Sequence, residues 1–253
     1  MKKKDFNPQN YWENRLSSQI DLRGTGHRGF DLEYNRWFYL AQADSLDMLL
    51  KQNQIVLQEM SVIDIGSGIG FYIDFIKKRG ASKIVGVDIS QTSIDYLKTN
   101  FPDCDFYKAD ISEIDLKLPG KYDVLIAISI LFHIVDDMKF AQAIQNIGNL
   151  IKPRGFAILS DTFSQPLFNL APHVTFRNRA EYENELKKAG FIILDTLPMF
   201  YFLNRTFIPI IGPRLLSMIK AGKFLYQIDT TLRNRRLRNW NGSKLLLAQK
   251  LDT

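Results

Sequence analysis

Cysteine is almost missing from this chain. Cys104 stands alone, which excludes an internal disulfide and any cysteine-rich metal site. Histidine is scarce too: His27, His133 and His173 lie far apart, so a histidine-based zinc centre is not expected. No apolar run reaches the roughly 18 residues that mark a membrane-spanning helix. The opening "MKKKDFNPQNYW" has the positive charge of an export signal but no hydrophobic stretch behind it. Internal repeats and low-complexity tracts are absent, which excludes a solenoid or a largely disordered chain. These absences together lead us to expect a soluble, cytoplasmic protein.

What is present fits a packed fold. The chain has 253 residues, 45% hydrophobic and 24% charged, enough for one large domain or a core domain with additions. A formal charge of +6 and a pI of about 9.2 are compatible with acidic partners but do not by themselves imply nucleic acid.

Two textures divide the chain. Residues 1–57 are polar and aromatic-rich and read as a helical leader; "YNRWFYLAQADSLDMLLKQ" sets Trp37, Leu40, Ala41, Leu46, Leu49 and Leu50 at helical spacing. In residues 58–253, short β-branched runs alternate with amphipathic stretches. The runs are "SVIDI", "KIVGVDI", "CDFYKADI", "YDVLIAIS", "FAILSDTF", "FIILDTL" and "SKLLLAQK". Between them lie helical patterns with clear ends, such as "NRAEYENELKKAG", which opens on a capping box of Asn178 and Glu181. This alternation predicts an α/β fold, a parallel sheet with helices on both faces. Residues 204–240 break the rhythm and are too long for a simple connection, so they read as an insertion before the last strand.

Two glycine clusters compete for the role of ligand loop. "RGTGHRGF" contains a literal G-x-G-x-x-G at Gly24, Gly26 and Gly29, yet it follows the polar "SSQIDLR", a poor strand. "VIDIGSGIGFY" follows a good strand and opens a helix, as a ligand loop at the carboxyl edge of a sheet must. The second loop is the better candidate. It is ill suited to a dinucleotide: Phe71 occupies the place of the third small residue, and Asp64 at the strand end would repel a pyrophosphate. A ligand with a cationic amino group suits it better.

"VIDIGSGIG" resembles the first motif of class I S-adenosylmethionine-dependent methyltransferases. "VDIS" is similar to their second, "KADI" to their third and "YDVLIAISILFHIVD" to their fourth; "LIKPRGFAIL" resembles the turn leading into strand five. "YWENRL" near the start also recurs in small-molecule members. The resemblance implies a Rossmann-like, doubly wound, seven-stranded, mostly parallel sheet and S-adenosyl-L-methionine as cofactor. It implies cofactor contacts from Asp64, Gly66, Ser67, Gly68 and Gly70. Asp88 would take the ribose hydroxyls and Asp110 the adenine amino group, with Ile89, Ile111 and Ile128 beside the base. From the leader, Tyr34 and Arg36 are expected at the methionyl end, with Tyr11 and Trp12 as further candidates, and "RGTGHRGF" as a hinge or lip.

A hydroxyl acceptor loses a proton as it is methylated, so a general base helps. His133, beyond strand four, and Asp161, beyond strand five, are the two candidates. His173 reads as a loop or lid contact. The 204–240 insertion mixes cations, Arg205, Arg214, Lys220, Lys223, Arg233, Arg235, Arg236 and Arg238, with apolar runs and one acid, Asp229. Such a segment can cover the acceptor pocket, bind an anionic substrate or lie on an anionic membrane; a cap on the acceptor site is favoured. The leading expectation is O-methylation of a small molecule, with phosphate-bearing, glycan-linked or lipid-like acceptors all open. Methylation of RNA or protein, and cofactor binding without catalysis, stay open as alternatives. No stable nucleic-acid partner is expected, since "ISILFHI" stands where base-modifying members carry an Asn/Asp-Pro-Pro-Tyr/Phe signature.

Overall fold

A computed structural model describes residues 6–164, 171–204, 212–235, 237 and 242–252. The leader is helical, as its pattern predicts. Helix α1, Pro8–Ser18, begins with proline at its first position and with the Asn7 side chain accepting from the Asn10 amide. After the short α2, Leu22–Thr25, comes α3, Leu32–Gln52, capped by Asp31.

The core then alternates. Strands β1 (Ser61–Ile65), β2 (Lys83–Asp88), β3 (Asp105–Lys108) and β4 (Tyr122–Ala127) are followed by β5 (Ile151–Asp161), β6 (Phe191–Pro198) and β7 (Lys244–Lys250). Helices α4 (Phe71–Lys77), α5 (Gln91–Asn100), α6 (Asp137–Leu150) and α7 (Arg179–Lys188) connect them. The insertion contributes α8 (Gly212–Met218) and α9 (Gly222–Asn234). The sheet order is β3-β2-β1-β4-β5-β7-β6, with β7 antiparallel to both its neighbours and the other pairs parallel.

Side chains alternate across the sheet with the two-residue period of a strand. Val62, Val124, Ile126, Leu245 and Leu247 face one apolar layer, shared with α3, α4 and α5. Ile63, Ile65, Leu125, Ala127 and Leu246 face the other, shared with α6 and α7. Fully buried leucines such as Leu46 and Leu49 of α3 each stabilise the fold by roughly 1.5–3 kcal/mol.

Two details depart from the sequence reading. "KPRG", expected as a turn, lies inside β5, which starts directly after α6 at the cost of an irregular register between Tyr122 and Val124. β3 stops at Lys108, so Asp110 stands on the loop beyond it. The strand order reverses at β1, whose neighbours are β2 on one side and β4 on the other. That reversal leaves a crevice at the carboxyl edge.

Candidate active site

A cavity of about 540 Å³ occupies that crevice, and the leader roofs it. Its floor is the second glycine loop: Gly66, Ser67 and Gly68 line it, while Gly70 ends the loop with a left-handed φ of 84°. A side chain at Gly70 would collide with Phe101, so this glycine serves packing and turn geometry and does not line the cavity. The first glycine cluster has a different use. Asn35 accepts from the His27 amide and donates to the carbonyls of His27, Phe30 and Asp31, which pins the cluster in place. It thereby sets Thr25 against Gly68, so one loop lies over the other.

Acidic groups follow the strand ends. Asp88, at the end of β2, accepts from the Gly68 amide at 2.8 Å and the Ser90 amide at 2.9 Å, and lines the cavity. Burial raises its pKa, and those amide bonds oppose the rise. Asp110 lines the cavity and is oriented by the amide and hydroxyl of Ser112. Asn146 of α6 donates to the carbonyls of Ile111 and Glu113, which fixes that loop from behind. Ile89, Ile111 and Ile128 complete an apolar slot.

Asp64 is the exception. It lies behind the cavity wall, and both carboxylate oxygens are buried without a hydrogen-bond partner. Burial, with Asp88 close by, pushes its pKa up to about 7. A buried, unpartnered carboxylate is costly, and a cation is what relieves it. An amino acid ammonium entering at this end would supply that partner, and the neighbouring polar groups suit the rest of such a ligand. Tyr39, Gln42 and Tyr72 line the cavity here; the Tyr72 hydroxyl donates to Gln42, and the Tyr39 hydroxyl to Thr25. The residues present therefore fit S-adenosyl-L-methionine: Asp88 and Asp110 would meet its nucleoside end, and Asp64 would face its methionyl end.

The leader places other groups than those expected. Tyr34 is buried away from the cavity, stacked on Phe30, with its hydroxyl donating to the Leu203 carbonyl. Arg36 is exposed. The face of α3 that meets the cavity carries Tyr39 and Gln42, three residues apart; Tyr34 lies about 140° round the helix from Tyr39. Most of "YWENRL" faces inward, with Asn14 exposed. Tyr11 stacks on His173 and Trp12 packs edge-on against His133. Glu13 accepts from the Ser90 and Thr92 hydroxyls and the Gln91 and Thr92 amides, capping α5. Buried Arg15 donates to the carbonyls of Arg23 and Gly26.

The acceptor side is aromatic. Phe6, Pro8, Trp12 and His133 line it. Nδ1 of His133 is 2.9 Å from the His173 carbonyl oxygen. A carbonyl can only accept, so Nδ1 holds the proton and Nε2 the free lone pair. Burial, with Arg15 and His173 nearby, lowers the pKa of this ring to about 3, so it stays neutral across the working range.

Asp161 is not brought to the cavity. It is buried at the end of β5, where it accepts from the Tyr182 hydroxyl at 2.7 Å and the Thr162 amide at 2.6 Å. The insertion does not cap the cavity with any described residue either. Its α9 packs on α3, held by Arg233 and Tyr226 against Asp44, and Asp229 accepts from the amides of Tyr201, Phe202 and Leu203. Arg205, Arg236 and Arg238 lie outside the described residues. Among the described residues no group of three His, Cys, Asp or Glu could hold a metal ion, and no helix is long and apolar enough to cross a membrane.

The chain is similar to known methyltransferases. Residues 62–155 match a family model described as a methyltransferase domain. The chain is 24% identical over 204 residues to a probable S-adenosylmethionine-dependent methyltransferase of Mycolicibacterium smegmatis, covering 75% of this chain and 72% of the relative. It is 27% identical over 170 residues to the ubiquinone biosynthesis O-methyltransferase of Coxiella burnetii, covering 59% and 71% respectively. Among solved structures, magnesium protoporphyrin IX methyltransferase from Synechocystis PCC 6803, with S-adenosylmethionine bound, superposes with a TM-score of 0.62. That likeness covers 97% of this chain and 98% of the other at 16% identity, which speaks to the fold.

Proposed function

We propose that this chain acts as a class I S-adenosylmethionine-dependent methyltransferase and that it methylates a hydroxyl oxygen on a planar small molecule. The observation that carries this reading is His133, on the cavity wall with Nε2 unprotonated and Nδ1 bonded to the His173 carbonyl. When bound, the cofactor supplies an activated methyl group on a cationic sulfur. The protein then has to position the acceptor, exclude water and take up a proton. Trp12, Phe6 and the leader would cover the acceptor, and His133 Nε2 would receive the hydroxyl proton as the oxygen–carbon bond forms. The Nδ1 bond keeps the ring turned for that task.

The lowered basicity of His133 bears on the acceptor. Burial opposes the use of His133 as a base, so an acceptor that gives up its proton readily, a phenol or enol, is better served here than an aliphatic alcohol. The relative from Coxiella burnetii, an O-methyltransferase by name, supports the same atom class. Described cations are sparse on the cavity wall, where Lys139 is the single one, so a highly charged acceptor gains little support.

The test is an acceptor panel scored by formation of S-adenosylhomocysteine. Phenols and enols should turn over, and His133→Gln should reduce that turnover by roughly 100-fold or more while leaving cofactor affinity unchanged. Turnover confined to carboxylates or amines, or a fully active His133→Gln, would overturn the reading.

A further inference from the structure

The α8–α9 hairpin has a use that the catalytic cavity does not absorb. Its inner face is packed: Pro213 sits against Gly29, Gly222 against Trp37 and Tyr34, and the Asp31 amide donates to Ser217 Oγ at 3.1 Å. Its outer face is apolar and bare. Met218 is 80% exposed, Phe224 64%, Ile219 62% and Leu215 45%. They cluster at the tip, around a turn in which Lys220 holds a φ of 51°. Buried glycine and proline on one side with exposed Met, Ile and Phe on the other make this hairpin amphipathic, and no described residue covers the outer side.

Charge decides what such a face fits. Arg214, Lys220 and Lys223 are exposed at or near the tip, and Arg235 is exposed at the far end of α9. The sole acid between residues 212 and 235 is Asp229, which is buried and bonded to three main-chain amides. An apolar tip carrying Lys220 and Lys223, with Arg214 nearby and no exposed acid of its own, matches a bilayer with anionic headgroups; the exposed acids beside it, Asp31 and Glu33, belong to the leader on its inner side. A second copy of the same face would meet like charge. Position agrees as well. The hairpin follows β6, which runs parallel to β5 because both are antiparallel to β7, so it leaves the sheet at the same edge that carries the cavity. It also touches the 26–31 loop of the leader that roofs the cavity.

We propose that the α8–α9 hairpin docks the enzyme on anionic lipid bilayers, with Met218, Ile219 and Phe224 entering the interface and Arg214, Lys220 and Lys223 meeting the headgroups. This is independent of the acceptor chemistry argued above. It is tested by co-sedimentation of the full chain with vesicles of phosphatidylcholine alone or mixed with phosphatidylglycerol. The wild type should bind the anionic vesicles roughly tenfold or more tightly than the neutral ones, and salt should weaken that binding. Met218→Asp with Ile219→Asp should abolish it, and Lys220→Glu with Lys223→Glu should remove its salt-sensitive part, both with normal cofactor affinity as the check on folding. Equal binding to the two vesicle types, no binding by the wild type, or unchanged binding by these variants would overturn the proposal. So would sedimentation of the wild type as a dimer that the same substitutions convert to a monomer, which would make the face a contact between copies.

Discussion

Asp64 keeps a proton that an ordinary aspartate would have lost. Its unfolded-state pKa is the usual 3.8, and in the folded protein burial raises it to about 7. The sign follows: a carboxyl raised on folding favours the folded state at low pH and loses that contribution as pH climbs from about 4 through 7. A cationic ligand reverses the preference, because it wants the carboxylate. Cofactor binding should therefore expel a proton, and affinity should strengthen by up to about tenfold per unit as pH rises toward 7, then level off. Calorimetry across pH 5.5 to 8.5 in two buffers of different ionisation enthalpy reads both effects, and a flat affinity without proton release would remove Asp64 from the cofactor's partners. Asp161 behaves differently because it stands elsewhere. Asp161→Asn should cost roughly 1–3 kcal/mol by disturbing the bonds from Tyr182 and Thr162, with turnover unchanged. A large turnover loss at unchanged stability would place it in the mechanism after all. The placement of Asp88 and Asp110 at the cavity was legible from the chain alone, Asp88 because it ends β2 and Asp110 because it follows β3 by two residues. Asp161 also ends a strand, but its side chain turns to Tyr182 of α7, and no sequence pattern reports that.

At the scale of elements, α1 is the piece whose role exceeds its length. Glu13 ties it to α5 by bonds to two amides and two hydroxyls, and these bonds hold its own pKa below the usual glutamate range. Glu13→Ala should remove about 1 kcal/mol, the usual cost of a lost cap, and weaken cofactor binding several-fold by loosening the roof. Limited proteolysis between Ser18 and Phe30 should quicken in the variant; an unchanged cleavage rate would show that α1 is held by packing alone. The motif "YWENRL" pointed to this helix without revealing Glu13 as its latch, since the partner amides lie about 78 residues away on α5. Helix α3 was legible as a helix, and its apolar phase was largely legible too. Its buried face runs through Asn35, Gln42 and Ser45, while Leu40 is exposed. The apolar period did find the buried Ala41, Leu46, Leu49 and Leu50, but it cannot report the polar residues of the buried side, and the resemblance that suggested Tyr34 does not tell that Tyr39 and Gln42 are the ones that meet the cavity.

The whole molecule is an alternating sheet with a roof at its carboxyl edge and an appended hairpin on the roof's outer side. The alternation was readable because each strand and helix carries its own period and its own caps. The destination of the insertion was not, since it depends on Arg233 and Asp229 meeting α3 and the 201–203 turn across long sequence distances. Asp229→Ala removes an acceptor of three main-chain amides, two of them buried, and should cost roughly 2–5 kcal/mol. The measurement is the denaturant midpoint at constant slope, and an unmoved midpoint would mean the hairpin is anchored elsewhere. The account rests finally on S-adenosyl-L-methionine sitting in the crevice between β1, β2 and β4. Calorimetric titration of the full chain and of Asp88→Ala tests this most directly. One equivalent should bind to the wild type, with affinity reduced at least about tenfold in the variant, the loss of a charged hydrogen-bond partner; no binding to the wild type, or equal affinity in both proteins, would contradict it.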